Sequence, residues 1–227
     1  MKVLGIDTST MLGAVGIVDG GELVAELRTN VEVTHSERLM LHIDGLLKSA
    51  GLVLADIDGF AVTVGPGSFT GLRIGMAAAK AMAYASGKPV AGVPTLDALA
   101  DNMPYCRFQI CPMLDARKKM VYAALYRQTN NGPSMIMQPS VLAPEELAAI
   151  IDRPTVFLGD GARVYRGVFE ERLCCQAVFA PRRYGYPSGA NVAFRGLKKI
   201  ESGEAGDPMS LTPFYIRRSE AEEKAGV

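Results

Sequence analysis

The sequence predicts an α/β protein of two subdomains laid out on one plan, and three observations carry that prediction. Residues 60–93 read as a buried strand, a glycine-rich loop, a helix and a second strand, which is the order of a parallel pair. Ahead of them, three short apolar runs read as a meander. The second half then opens as the first does: 110–114, Asp115-Ala116-Arg117 and 121–126 parallel 4–6, Asp7-Thr8-Ser9 and 12–18, as an internal duplication would. Met103-Pro104 breaks the pattern, so the subdomains are expected at 1–104 and 105–227.

Taken in order, residues 2–6, 12–18 and 22–27 are strands, with Asp19-Gly20-Gly21 turning the hairpin between the last two. Asp7-Thr8-Ser9-Thr10 lies between the first two strands, where these side chains can satisfy turn amides. Thr34-His35-Ser36-Glu37 has capping-box spacing, which predicts a helix that ends near Gly51. Leu39, Ile43, Leu46, Leu47 and Ala50 give it an apolar face, and Met40 and Leu41 widen that face. A helix apolar over more than one stripe must be covered on more than one side, and a neighbouring subunit is one source of cover.

The loop Gly65-Pro66-Gly67-Ser68-Phe69-Thr70-Gly71 is neither a Walker loop nor a GxGxxG, since no Gly-Lys-Ser/Thr follows it. It opens a helix whose first N–H groups favour an anion, although the spacing favours a plain cap by Ser68 or Thr70. Along that helix Gly71, Gly75, Ala79 and Ala83 recur every fourth residue, a ridge with almost no side chain that lets another helix or a sheet approach closely. Met76 and Met82 on its flank point to an adaptable contact surface. If the ridge packs on the helix 36–50, a patch around Leu39, Ile43, Leu72 and Met76 is left for a second copy or a partner. A strand at 89–93 and a helix from Thr95 to about Asn102 complete this half.

In the second half, Ala116-Arg117-Lys118-Lys119 joins two strands, and Arg117 is expected to pair with Asp115 or a partner carboxylate. A helix at 144–151, a strand at 155–158, a βα turn at Gly159-Asp160-Gly161, a helix at 162–172 and a strand at 176–179 follow. Beyond an irregular 182–188 come a helix at 191–201, an extended 211–216, and a charged tail from Arg217 expected to fray.

The chain carries 24 Lys and Arg against 24 Asp and Glu, so its net charge gives no argument for nucleic acid or membrane. Lys118-Lys119, Arg182-Arg183, Lys198-Lys199 and Arg217-Arg218 read as solvated faces. No run approaches the roughly 20 apolar residues of a membrane span and no charged-then-apolar leader opens the sequence, so a cytoplasmic protein without membrane contact is expected. Cys106, Cys111, Cys174 and Cys175 lack CxxC spacing and read as buried thiols in a reducing compartment.

LGIDTST, THSERLM, GPGSFTGLRIG, LDARKKMVYAALY, GDGA and LTPFYIRRSEA occur in that order, and together they resemble the TsaB (YeaZ) family of glycoprotease-like proteins in the actin, sugar-kinase and Hsp70-like (ASKHA) superfamily. The resemblance implies two actin-like (RNase H-like) subdomains, each a mixed sheet with a three-strand meander flanked by helices. It likens Asp7-Thr8-Ser9 to the superfamily's first phosphate-contacting hairpin, a weak or vestigial nucleotide site, while the second hairpin has lost the glycine and hydroxyl residues of an ATP-using member. It implies an interface through Leu39, Ile43, Leu46, Leu72, Gly75, Met76 and Ala79. The implied role is a non-catalytic scaffold in making threonylcarbamoyladenosine in tRNA, with a TsaD-like catalytic subunit and a TsaE-like ATPase as partners, a homodimer when alone, tRNA reached only through the complex, and no cofactor beyond weak ATP or ADP binding. The alternative is a stand-alone ATP-dependent phosphotransferase or ATPase of the superfamily.

His35 and His42 are the only histidines, two turns apart on one helix and unable to bind one metal from it, so no metal site and no catalytic residue are expected. Neither an HExxH nor a serine or cysteine triad can be assembled, which leaves a protease reading without nucleophile or metal.

Overall fold

The computed structural model describes residues 1–30 and 35–217, with the side chains of 35–37 left aside. The capping-box side chains expected at 34–37 and the tail beyond Arg217 lie outside the described residues.

The chain divides into two compact units, 1–98 with 187–214, and 99–186 with 215–227. In the first, β1 (Lys2–Asp7), β2 (Gly13–Asp19) and β3 (Glu22–Thr29) form the meander, and β4 (Gly59–Gly65) and β5 (Val90–Pro94) add parallel strands in the order β3-β2-β1-β4-β5. Side chains alternate across this sheet with the period of two that a strand imposes. Leu4, Ile6, Val15, Ile17, Phe60 and Val62 pack into the core under α1 (His35–Ser49) and α2 (Phe69–Ser86). Their neighbours Gly5, Gly16 and Ala61 face the other way, toward α7 (Gly189–Glu201).

Those small residues decide where α7 goes. A Cβ on Gly5 or Gly16 would collide with the α7 backbone at Gly189, Ala190 and Ala193, and one on Gly196 would collide with Ala61. Helix and sheet thus meet almost backbone to backbone. The subdomains expected at 1–104 and 105–227 are corrected on this point: 187–214 pack in the first unit, because the matching glycine and alanine surfaces lie on α7 and the first sheet.

The second unit repeats the plan. β6 (Gln109–Asp115), β7 (Val121–Thr129) and β8 (Gly132–Leu142) form its meander, and β9 (Thr155–Leu158) and β10 (Ala177–Phe179) add parallel strands in the order β8-β7-β6-β9-β10. Read from the third strand of each meander, the two sheets have the same order, as a duplicated actin-like fold requires. The edge strand β8 is not anticipated from the sequence, because Gly132, Pro133 and Pro139 break the apolar alternation of a strand. Besides α3 (Thr95–Ala100) in the first half, the connections are α4 (Pro144–Ile150), α5 (Asp160–Val164) and α6 (Arg166–Leu173), whose Phe169 stacks on Phe157 with ring centroids 4.6 Å apart. The expected single helix at 162–172 is two, separated at Tyr165. Residues 211–216 form no strand, although the Phe214 N–H donates to the Val64 carbonyl at 2.7 Å.

Candidate functional site

The turn after β1 is closed over by the glycine loop. Asp7, Thr8 and Ser9 are 0%, 1% and 2% exposed. The Ser9 hydroxyl donates to Asp7 Oδ1 at 2.7 Å, the Thr8 hydroxyl donates to the Gly71 carbonyl at 2.7 Å, and the Ser68 N–H donates to the Ser9 carbonyl at 2.7 Å. A Cβ on Gly67 would stand 2.5 Å from the Ser9 carbonyl oxygen, and Cβ atoms on Gly71 and Gly75 would collide with Thr8. The glycines of the bare ridge of α2 therefore admit this turn, with Gly75 also against Val62 of β4, while Ala79 and Ala83 are buried in the core cluster that α1 shares. Ser68 is the N-cap, its hydroxyl accepting from the Gly71 N–H, and Gly87 ends α2 in the left-handed region.

The expected contact patch is corrected by the same packing. Leu39, Ile43 and Leu46 of α1 are 5%, 2% and 5% exposed, and Leu72, Met76 and Ala79 of α2 are 0%, 4% and 0% exposed, with Gly75 buried among them. They are core of the first unit, because the richest apolar stripe of each helix turns toward the sheet and toward the other helix. What faces outward is a second, weaker stripe: Met40, Leu41 and Gly45 on α1, and Ala77, Ala81 and Tyr84 on α2, with Leu41 at 68% and Tyr84 at 75% exposed. Met40 and Leu41 carried the sequence signal for it, as residues apolar beyond the first stripe.

A half-buried polar joint fixes α7. Glu26 of β3 accepts from the Ser188 hydroxyl at 2.5 Å and the Ala190 N–H at 3.2 Å, and it pairs with Arg28 at 2.9 Å. Burial pushes its carboxyl up, but these donors together hold it below its ordinary range.

In the second unit, three successive residues of the β6–β7 turn are left-handed, Arg117, Lys118 and Lys119 at φ 61, 50 and 60°. The expected Arg117–Asp115 pair forms at 3.4 Å, and Asp160 accepts from the Asp115 N–H at 3.0 Å. Burial raises the Asp160 carboxyl above its ordinary range. Gly159-Asp160-Gly161 forms the expected βα turn, with Gly159 at φ 107° and too close to Met113 for any side chain.

No group of three or more His, Cys, Asp or Glu side chains able to hold a metal occurs among the described residues. His42 sits half-buried with Nδ1 3.5 Å from the Thr29 hydroxyl. Cys111 is buried as expected, whereas Cys174 and Cys175 are exposed, because the chain leaves α6 there for a short 3-10 turn. No helix is long and apolar enough to cross a membrane among the described residues.

Against this geometry stand the comparisons with known proteins. The family model described as TsaD, tRNA N6-adenosine threonylcarbamoyltransferase, matches residues 29–225. The tRNA threonylcarbamoyladenosine biosynthesis protein TsaB of Bacillus subtilis is 32% identical over 228 residues, covering 99% of this chain and 97% of that protein. Two Pseudomonas aeruginosa structures share the fold at 25% identity. One, YeaZ, has a TM-score of 0.82 over 94% of this chain and 99% of its own; the other, an uncharacterized protein with similarity to peptidase YEAZ, has 0.81 over 95% and 99%.

Proposed function

The chain belongs to the TsaB (YeaZ) family of glycoprotease-like proteins, and on that premise we propose that it serves the synthesis of threonylcarbamoyladenosine in tRNA as a subunit without catalytic residues of its own. Its task is to bind and support a TsaD-like transferase in an assembly that also takes a TsaE-like ATPase.

The observation that carries this reading is the outward stripe of α1 and α2. Met40, Leu41, Gly45, Ala77, Ala81 and Tyr84 are apolar or small residues left in water on two helices that share one core cluster. Apolar area of this kind favours burial at roughly 25 cal/mol per Å², and small residues let a partner helix approach closely. The transferase is its occupant in the working assembly, and a second copy of the chain covers it in the transferase's absence.

The alternative, a stand-alone phosphotransferase using Asp7, needs hydroxyls and amides free to meet phosphate. Thr8 and Ser9 give theirs to Gly71 and Asp7, beneath a glycine loop that leaves them no exposure. The second hairpin offers Arg117, Lys118 and Lys119 where hydroxyl or glycine donors would be needed.

Reconstitution tests the proposal. The transferase and ATPase with tRNA, ATP and a pre-formed activated threonylcarbamoyl donor should form the modified nucleoside efficiently only when this chain is present, and affinity-tagged chain should retain the transferase. Equal product with and without the chain would overturn it.

A further inference from the structure

The parallel pairing of β6, β9 and β10 brings the loops that follow them to one end of the second sheet. The turn after β6 carries Arg117, Lys118 and Lys119, the segment after β9 carries Arg163 and Arg166, and the turn after β10 carries Arg182 and Arg183. Lys118-Lys119 and Arg182-Arg183 lie more than sixty residues apart in sequence and look like separate solvated pairs there. In the fold they share one face, the carboxyl-end face where open α/β sheets take ligands.

Three features distinguish this face from ordinary surface charge. Its first turn is left-handed at three consecutive residues, a conformation that suits glycine and that here displays three long cations instead. The turn is held by the Ala116 N–H donating to Met120 O at 3.0 Å, the Met120 N–H to Arg117 O at 2.9 Å, and the Arg117 N–H to Asp115 Oδ1 at 2.9 Å. Second, three acidic groups at these loops are engaged in bracing them. Asp115 accepts from Arg117 and lies 3.4 Å from the Tyr165 hydroxyl, Asp160 accepts from Asp115, and Glu170 holds Arg166 at 2.7 Å. Lys119, Arg163 and Arg182 form no ion pair with a described carboxylate. Third, a cleft of about 170 Å³ opens between the segments that follow β9 and β10, with Phe157, Leu158 and Phe179 as apolar walls and Asp160, Arg163, Arg166 and Arg182 lining it. The Arg166 guanidinium lies 4.4 Å over the Phe179 ring.

We infer that this face binds the phosphate backbone of single-stranded or loop RNA, with the cleft receiving an unstacked base. Strands β6 and β10 are two strand spacings apart, on the order of 10 Å, so the cations of the three loops are spread along a line that successive phosphates of a strand can follow. An apolar and aromatic slot bordered by guanidinium groups suits a splayed base beside its phosphates. The inference rests on the tRNA-modification reading and gives this chain its own tRNA contact, where family resemblance implied contact only through the complex.

The test measures binding of an unmodified tRNA transcript to the full chain, alone and in the reconstituted complex, across a salt series. Two charge-reversed variants are compared with the wild type, Lys118→Glu with Lys119→Glu, and Arg163→Glu with Arg182→Glu. Arg153→Glu, an exposed reversal at the opposite end of β9, is the control. Each double variant should stay folded by circular dichroism and keep the transferase, weaken tRNA binding at least tenfold, and reduce the slope of log K against log salt by about two. ATP and inorganic phosphate should not compete with the tRNA. Unchanged tRNA affinity in both double variants, an equal loss with Arg153→Glu, or competition by ATP would overturn the inference. Retention of the transferase and product formation report separately on the proposed function, so the two ideas fail independently.

Discussion

Gly16 of β2 and Gly189 of α7 meet backbone to backbone: a Cβ on Gly189 would stand 2.5 Å from the Gly16 nitrogen, and one on Gly16 would stand 2.6 Å from the Gly189 carbonyl carbon. This contact anchors the helix that returns to the first unit after residues 99–186 of the second. Gly189→Ala should therefore cost about 1–3 kcal/mol or more, because neither backbone can yield without lifting the helix from the sheet. Gly45→Ala, on an exposed face of α1 with nothing within 4 Å, should instead stabilise by about 0.5–1 kcal/mol through helix propensity. Denaturant unfolding of the two variants measures both signs.

The Glu26 joint makes α7 docking pH-dependent. The folded carboxyl titrates below its ordinary 4.5, so its stabilisation is complete above about 4.5 and is lost as the pH falls through the lower folded value. Glu26→Gln should lower stability by about 1–2 kcal/mol at neutral pH, and the gap to the wild type should close in acid. A gap that persists at the acid end of a thermal melting series would show that the loss comes from packing and not from charge.

Asp7 is expected to act in the fold. Asp7→Ala removes the acceptor of the Ser9 hydroxyl inside a buried turn and should cost about 1–3 kcal/mol. Calorimetric titration of the wild type with ATP should show weak binding or none. Micromolar affinity abolished in a still-folded Asp7→Ala variant would return the phosphotransferase reading.

The two stripes of α1 and α2 should respond in opposite ways to a charge. Leu41→Glu and Ala81→Glu lie on the outward faces and should alter stability by no more than about 0.5 kcal/mol, while abolishing transferase binding and self-association. Met76→Arg, at 4% exposure, places an unpaired charge in the core and should unfold the unit at a cost of about 4 kcal/mol or more. Sedimentation and circular dichroism separate the two classes, and an outward variant that still dimerises and still holds the transferase would sink the assignment of that face.

The sequence by itself determined the elements and their plan. The strand, glycine loop and helix at 60–86, the cap at Ser68 or Thr70, the hairpin at 19–21 and the repeat of the opening in the second half are local patterns, set by backbone sterics, capping and period, and all are found, the cap falling on Ser68. The bare ridge Gly71, Gly75, Ala79 and Ala83 was equally legible as a place of close approach. Only the tertiary structure decided what approaches its glycines, the turn at Thr8, and that Leu39, Ile43, Leu72 and Met76 are core. The same holds for α7, which joins the first unit across a whole intervening unit, and for Lys118-Lys119 and Arg182-Arg183, which parallel strand pairing gathers at one sheet end. The physical reason is common to all three. Periodicity states which face of an element is buried but not against what, and because the entropy of closing a loop grows only slowly with its length, the covering partner can lie anywhere along the chain.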